Sequence, residues 1–196
     1  MNIFRSAAHL SKKIFFWLAH ARLFKKYSFS STILSSLKIQ GHPYIEIGEN
    51  VYIHSRSWLG VYKTSDIVPE LVISSGSCLG NFNHISCMRS VIIGKKVLTA
   101  DHVFISDHLH NYSDPGTPIM DQPILFKGQV IIGDGAWLGQ NVCIIGASVG
   151  KNSIIGANSV VTKDIPDYCV AAGIPAKVIK EYNFKTKQWE KVKYPV

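Results

Sequence analysis

The sequence predicts an all-β fold, a chain wound as a parallel β-helix with the cross-section of a triangular prism. The first observation behind this is a six-residue beat. Over residues 129–166 an aliphatic residue followed by a small one recurs at Ile132-Gly133, Leu138-Gly139, Ile144-Ile145, Val149-Gly150, Ile155-Gly156 and Val161-Thr162. One step, Ile144 to Val149, is a residue short. A helix repeats at 3.6 residues and a half-buried strand at 2, so neither explains the beat. A prism does: each side takes about one hexapeptide, the aliphatic residue points inward, and the small residue lets the backbone turn the corner. Successive coils then stack as parallel strands about 4.8 Å apart. The second observation is that the beat occurs upstream as well. It runs through Ile47-Gly48, Ile53-His54 and Leu59-Gly60, then Ile73, Leu79-Gly80 and Ile85-Ser86, then Ile93-Gly94, Thr99-Ala100 and Ile105-Ser106. Together these make roughly five coils. The third observation is where the beat fails. Residues 61–71 read as a loop leaving one corner. Residues 109–128 carry Pro115, Pro118, Pro123 and two glycines, cannot form a coil, and should protrude.

A chain of 196 residues that is 46% apolar can hold one sizeable core. We divide it into an N-terminal basic helix and linker (1–40), the prism (41–180, with the protruding loop at 109–128) and a C-terminal tail (181–196). The formal charge of +8 belongs to one end. Residues 1–40 contain Arg5, Lys12, Lys13, Arg22, Lys25, Lys26 and Lys38 and no acid; the remainder holds 14 basic and 13 acidic side chains, a net of +1. The basicity is therefore not a property of the fold, and no nucleic-acid partner is expected. Cys78, Cys87, Cys143 and Cys169 form no CxxC pair and read as buried reduced thiols. The apolar stretch near the start is short, flanked by charge and without a small-residue cleavage site, so the expected location is the cytoplasm.

Residues 2–27 read as a helix, with Ile3, Ala7, Leu10, Ile14, Trp17, Ala21 and Phe24 at alternating steps of four and three. Its apolar run is too short to cross a bilayer, which takes about 20 residues. Two roles fit. The helix can pack on the prism or on its counterpart in an oligomer. It can also lie at a membrane surface through residues 1–27, with Phe15, Phe16 and Trp17 in the acyl boundary and the cations on anionic headgroups. Residues 28–39 are serine-rich and read as a linker. Beyond Pro166 the beat ends, and residues 177–193 form a polar, basic tail with room for a short helix.

His108 stands where a regular coil stops and the long loop begins. Loops of that length in compact repeat proteins usually serve function. A histidine that titrates near neutrality can take a proton from a hydroxyl, as acyl transfer to an alcohol requires; taken alone it equally reads as a solvated loop residue. Asn81 and Asn83 flank Phe82 where the beat gives no reason for two amides, which suit sugar hydroxyls or a corner turn. Trp137 occupies an outward slot, where an indole suits an apolar ligand arm or a subunit interface. Lys163 and Lys177 can pair with phosphates as point charges or only solvate the surface. Gly139 and Ala157 would let a ligand arm lie close between coils.

Five stretches, GNFNHIS (80–86), FISDH (104–108), IGDGAWLG (132–139), IIGANSVVTKDIP (154–166) and AAGIPAKVIK (171–180), together resemble the hexapeptide-repeat acyltransferases. Within these the resemblance is to the galactoside, maltose and polysaccharide O-acetyltransferases, over about residues 45–180. It implies a left-handed β-helix, a homotrimer with active sites between subunits, and acetyl-CoA as co-substrate without a metal. The implied acceptor is a sugar or lipid-linked glycan, such as a bacterial surface-polysaccharide precursor. His108 is implied as the general base of a direct transfer, Asn81 as an acceptor contact with Asn83 beside it, Trp137 as the neighbour of the pantetheine arm and Lys177 as that of the 3′-phosphate. Gly139, Ala157 and Lys163 complete the coenzyme assignment. One departure stands out. The galactoside branch carries an acid eight residues after the first asparagine of NFN, and here that position is Arg89. A cation there argues against a galactoside and suits an acidic sugar, a nucleotide-sugar or a pyrophosphate-linked glycan. The group that orients His108 is left unassigned, because adjacent Asp107 should point to the opposite side of an extended chain.

Two other readings remain open. His84, His102, His108 and His110 allow a zinc enzyme resembling the γ-class carbonic anhydrases, although that family's pair of histidines five apart is missing. A non-catalytic structural β-helix is the other.

Overall fold

The computed structural model describes residues 14, 16–64 and 66–192. Short strands alternate with corners, and each pairs in parallel with the strand one coil before and one coil after. Three flat faces result, which define a left-handed parallel β-helix. Face A stacks Lys26–Tyr27, Ile45–Ile47, Glu70–Ile73, Ser90–Ile93 and Val130–Ile132. Face B stacks Thr32–Ile33, Tyr52–Ile53, Cys78–Leu79, Leu98–Thr99, Trp137–Leu138, Ile154–Ile155 and Cys169–Gly173. Face C stacks Lys38–Gln40, Trp58–Val61, His84–Cys87, Phe104–Ser106, Cys143–Ile145 and Val160–Val161.

The beat sets the core. Its aliphatic residues lie in register from coil to coil, as Ile47, Ile73, Ile93 and Ile132 on face A and Leu59, Ile85, Ile105, Ile144 and Val161 on face C. All are buried in one apolar column along the axis. Corners are turned in the left-handed region by Asn50, Asn141, Asn152 and Asn158, asparagine being among the few side chains that enter it at low cost. Buried corner serines then tie successive coils. Ser77 Oγ donates to the Gly94 carbonyl at 2.7 Å and accepts the Val97 amide at 3.1 Å; Ser153 does the same with Pro166 (2.7 Å) and Cys169 (3.0 Å).

Winding begins earlier than the expected boundary at residue 41. Residues 28–39 are not a linker, since Thr32–Ile33 and Lys38–Gln40 are sides of a first coil that starts at Lys26. The six strands of face C therefore count six coils, not five. Tyr27, Ile33 and Ile39 do keep the six-residue step, but each lacks the glycine or alanine follower that marks the later coils. The tail also differs from expectation. Ala176–Asn183 turns back antiparallel on Cys169–Gly173 and pairs with Gln188–Lys191, so a hairpin rather than a helix covers the last coil.

At the other end residues 16–20 are helical and lead into a 3-10 turn, Ala21–Leu23. Phe24 is buried in the core, Phe16 packs against it and stands 5.9 Å from the Tyr27 ring, and Trp17 meets Phe29 edge-on at 5.4 Å. The remainder of the expected helix, residues 2–13 and 15, lies outside the described residues. Among the described residues no helix is long and apolar enough to cross a membrane. All four cysteines are free; Cys87 and Cys169 are buried, while Cys78 and Cys143 are partly exposed.

Ser77→Ala should leave the Gly94 carbonyl and the Val97 amide without partners. The expected loss is about 1–3 kcal/mol, read as a lower urea midpoint at unchanged m-value.

Candidate active site

The main interruptions of the beat leave the prism at one corner, between faces C and A. Residues 62–69 follow Trp58–Val61, residues 88–89 follow His84–Cys87, and residues 107–129 follow Phe104–Ser106. These three strands belong to consecutive coils, so the insertions lie one above another. The longest leaves as an antiparallel ribbon in which His108–His110 pairs with Ile124–Phe126, the protrusion expected from its prolines.

On the outer side of face C, Gly60, Ser86 and Ser106 form a column of small residues. Two rings occupy the space they leave. A Cβ at Gly60 would stand 2.6 Å from the Tyr62 hydroxyl. The imidazole of His108 lies with Nε2 3.2 Å from Ser86 Oγ, and Tyr62 meets it edge-on at 6.3 Å. Beside that column runs a second, aromatic one. Trp58 stacks on His84 at 4.4 Å, and His84 meets Phe104 at 5.2 Å. Burial and then the neighbouring His108 push the His84 pKa down, so His84 is neutral near pH 7.

Asp107 orients His108. Its Oδ1 accepts His108 Nδ1–H at 2.7 Å, which corrects the expectation that the two side chains diverge. Residue 107 is a bend between two strands, so the alternation of an extended chain does not apply there. Ser106 Oγ fixes the bend by donating to the His108 carbonyl at 2.7 Å and accepting its amide at 3.2 Å. The Asp107 carboxylate is 0% exposed. It also accepts the amides of Met88 (2.9 Å), Arg89 (2.7 Å) and Ser90 (2.9 Å). Burial alone would raise its pKa, but His108 and the three amides outweigh that and hold it below the usual carboxylate range. An ionised Asp107 accepts only, so Nδ1 carries the proton between the two residues and Nε2 is the nitrogen left to exchange one with a ligand. Burial, and then Asp107, push the Cys87 thiol up, so the nearest sulfur is not a thiolate.

Residues 129–163 match the family model described as the hexapeptide repeat of succinyl-transferase. A putative acetyltransferase of Saccharomyces cerevisiae is 37% identical, the match covering 63% of this chain and 73% of that one. The chain belongs to the hexapeptide-repeat acyltransferase family. The putative lipopolysaccharide biosynthesis O-acetyl transferase WbbJ of Escherichia coli is 44% identical over 58% of this chain, which spans 61% of WbbJ. AntD, an N-acyltransferase of Bacillus cereus solved with dTDP and 3-hydroxybutyryl-CoA, shares the fold with a TM-score of 0.68 at 18% identity, over 84% of this chain and 87% of AntD.

In this hexapeptide-repeat chain the residues assigned from sequence fall at two corners. Arg89 joins His108, since its amide caps Asp107 and its guanidinium lies 4.4 Å over Phe126, the residue paired with His108. Lys163 is exposed near the same corner, about two coils or 10 Å further along the axis. Asn81, Gly139 and Ala157 occupy the corner between faces B and C instead. Trp137 is 47% exposed on face B, with Leu98 and Ile154 in its column. Lys177 lies on the terminal hairpin opposite Ala172. The width of face C, about five residues or 17 Å, separates the two groups.

One assignment changes. Asn83 is 2% exposed, its amide nitrogen donates to Thr99 Oγ1 and its oxygen accepts the Val103 amide, so it joins coils inside the prism, out of an acceptor's reach. Gly139 has a structural duty: a Cβ there would stand 2.7 Å from the Ala157 nitrogen. Asn81 donates its amide to Asp101 at 3.2 Å at a half-buried corner. The histidines of the zinc reading do not converge: His84 is stacked on Trp58 and His102 on Phe82 at 4.7 Å. Among the described residues no three His, Cys, Asp or Glu side chains come together as metal ligands. Sequence reasoning missed Tyr62, Ser86 and Asp107. The available signal was that three breaks in the beat follow the same side of successive coils.

Because the Asp107 pKa is depressed on folding, its stabilisation is complete above the unfolded value of about 3.9 and is lost as pH falls through the folded value. Asp107→Asn should therefore be destabilised relative to the parent at pH 7, with the gap narrowing below about pH 4. Urea midpoints across that range check this; a constant gap would mean that residue 107 carries no charge.

Proposed function

We propose that this protein transfers an acetyl group from acetyl-CoA to a sugar hydroxyl, in the assembly of a bacterial surface polysaccharide in the cytoplasm. The observation that carries the reading is the His108–Asp107 pair, with Nε2 beside Ser86 Oγ on the outer side of face C at the foot of the ribbon. The relatives support the acyl chemistry: WbbJ is a putative lipopolysaccharide biosynthesis O-acetyl transferase, and AntD was solved with 3-hydroxybutyryl-CoA. His108 takes the hydroxyl proton as that oxygen attacks the thioester carbonyl, and the imidazolium returns it to the departing sulfur. A backbone amide would hold the oxyanion. No acyl-enzyme forms, and a protonated Cys87 is in keeping with that. An inert scaffold would have no use for a buried carboxylate aimed at a part-buried histidine at the foot of the ribbon.

Trp137 and Ala157 would line the pantetheine arm, Lys163 and Lys177 would meet its phosphates, and Asn81 would contact the acceptor. The distance of Trp137, Ala157, Lys177 and Asn81 from His108 within one chain supports a homotrimer in which one subunit's corner between faces B and C lies against the His108 corner of the next. His108→Ala should then lower kcat by about 10²–10⁴, while Trp137→Ala should chiefly raise KM for acetyl-CoA. Refolding the two variants together should restore about a quarter of parent activity when assayed at acetyl-CoA well below the KM of Trp137→Ala, where neither variant alone is active, because random mixing regenerates intact sites between unlike subunits. No recovery, or a light-scattering mass of a single chain in an active sample, would exclude shared sites.

Peripheral membrane contact is supported by the seven cations of residues 1–40 and by exposed Leu18 and Leu23. Each cation is worth about 1 kcal/mol near an anionic surface. The chain should sediment with anionic vesicles and be partly released at about 1 M salt, where the Debye length falls to roughly 3 Å. Arg5→Glu, Lys12→Glu and Lys13→Glu together should abolish sedimentation and spare the prism, which begins at Lys26. Undiminished sedimentation would exclude the basic segment as anchor.

A further inference from the structure

We propose that Arg89 recognises an anionic group, a carboxylate or a phosphate, on the sugar whose hydroxyl meets His108. This deepens the acetyl-transfer reading and rests on it. The position of Arg89 is fixed twice. Its amide bonds the carboxylate that orients His108, and its guanidinium lies over Phe126, directly across the ribbon from His108. The charge therefore stands beside the proposed base, within the span of a small sugar unit.

Arg89 has no counter-ion of its own. The ion pairs among the described residues are Lys25–Glu46 and His108–Asp107. Asp107 meets Arg89 through the main chain only, and its two oxygens already hold three amides and His108 Nδ1. Glu70 accepts Ser90 Oγ at 3.3 Å and forms no ion pair with Arg89. The Nε of Arg89 is buried and makes no hydrogen bond. Leaving a buried donor unmatched is costly, the more so on a charged group. The Phe126 ring lies 4.4 Å from the guanidinium carbon, and the guanidinium carries further N–H donors on its terminal nitrogens, of the kind that a carboxylate or phosphate accepts. A side chain serving only to fasten the ribbon could be apolar and would not carry that cost.

The clamp on Asp107 uses the main chain, so substitution of the Arg89 side chain tests recognition apart from the dyad. Acetyl transfer would be compared across neutral methyl hexosides, the matching methyl hexuronides and the matching hexose 1-phosphates. Binding of the same compounds would be measured by calorimetry. The parent should favour one charged series over the neutral one by about 10–100-fold in kcat/KM, the worth of a charge-assisted hydrogen bond. Arg89→Gln should erase that preference, lowering kcat/KM for the charged series by about the same 10–100-fold. Arg89→Lys should restore part of it. Preference for the uronides places the anion on the ring carbon, and preference for the 1-phosphates places it at the anomeric link. Equal use of charged and neutral acceptors, unaltered in Arg89→Gln, would overturn the anion assignment while leaving acetyl transfer intact. Charged compounds that bind the parent and not Arg89→Gln, without any transfer, would uphold the assignment and remove the acetyl-transfer reading. If no charged compound binds more tightly than its neutral match, the assignment fails whatever the activity.

Discussion

Everything in this protein depends on the register between coils. Each N–H and C=O of a prism strand is satisfied by the coil above or below, and a residue added within a strand would break every pair beyond it. Extra residues are tolerated only at corners, where the ladder is already interrupted. That constraint explains why the chain departs from its beat abruptly and then resumes it in phase. It also explains why the departures concentrate. Three insertions at one corner of consecutive coils build a wall of loop and ribbon without disturbing the apolar column inside.

The insertions also solve an electrostatic problem. A carboxylate with no exposure to water is unfavourable unless its charge is matched by donors. Residues 88–89 lift the chain off the sheet at the corner, and the amides of Met88, Arg89 and Ser90 converge there. Asp107, one coil further on, drops into that cluster and still reaches His108. The smallest insertion thus stabilises the charge that the largest one uses. Gly60, Ser86 and Ser106 matter for the same reason: bulkier outward residues would push Tyr62 and His108 off face C.

The prism was legible because its core repeats, and His108 because it marks the end of a beat. The first coil was harder to read, since Tyr27, Ile33 and Ile39 keep the step without small followers. The terminal hairpin leaves the six-residue period altogether and could not be read from it. Asp107 was misjudged because strand alternation was extended through a bend. Asn83 was misjudged because an amide facing inward between coils has the same sequence signature as one facing a ligand. Periodicity assigns residues to inside or outside. It does not say which corner an outward residue occupies, so the separation of Trp137 from His108 had to come from the structure.

That separation gives face C a meaning beyond support. Between the two corners its outer surface carries Trp58, His84 and Phe104 in one column, with Lys38 5.1 Å from the Trp58 ring. His84 Nε2 is buried and without a hydrogen-bond partner. A lone prism gains nothing from such a surface, which combines aromatic rings with an unmatched imidazole nitrogen. In the proposed trimer the same surface lies on the line along which a neighbour must approach to bring its coenzyme residues to His108. Assembly would then do two things at once: shield the ring column from water, and close the gap of one face width that no movement within a rigid prism can close.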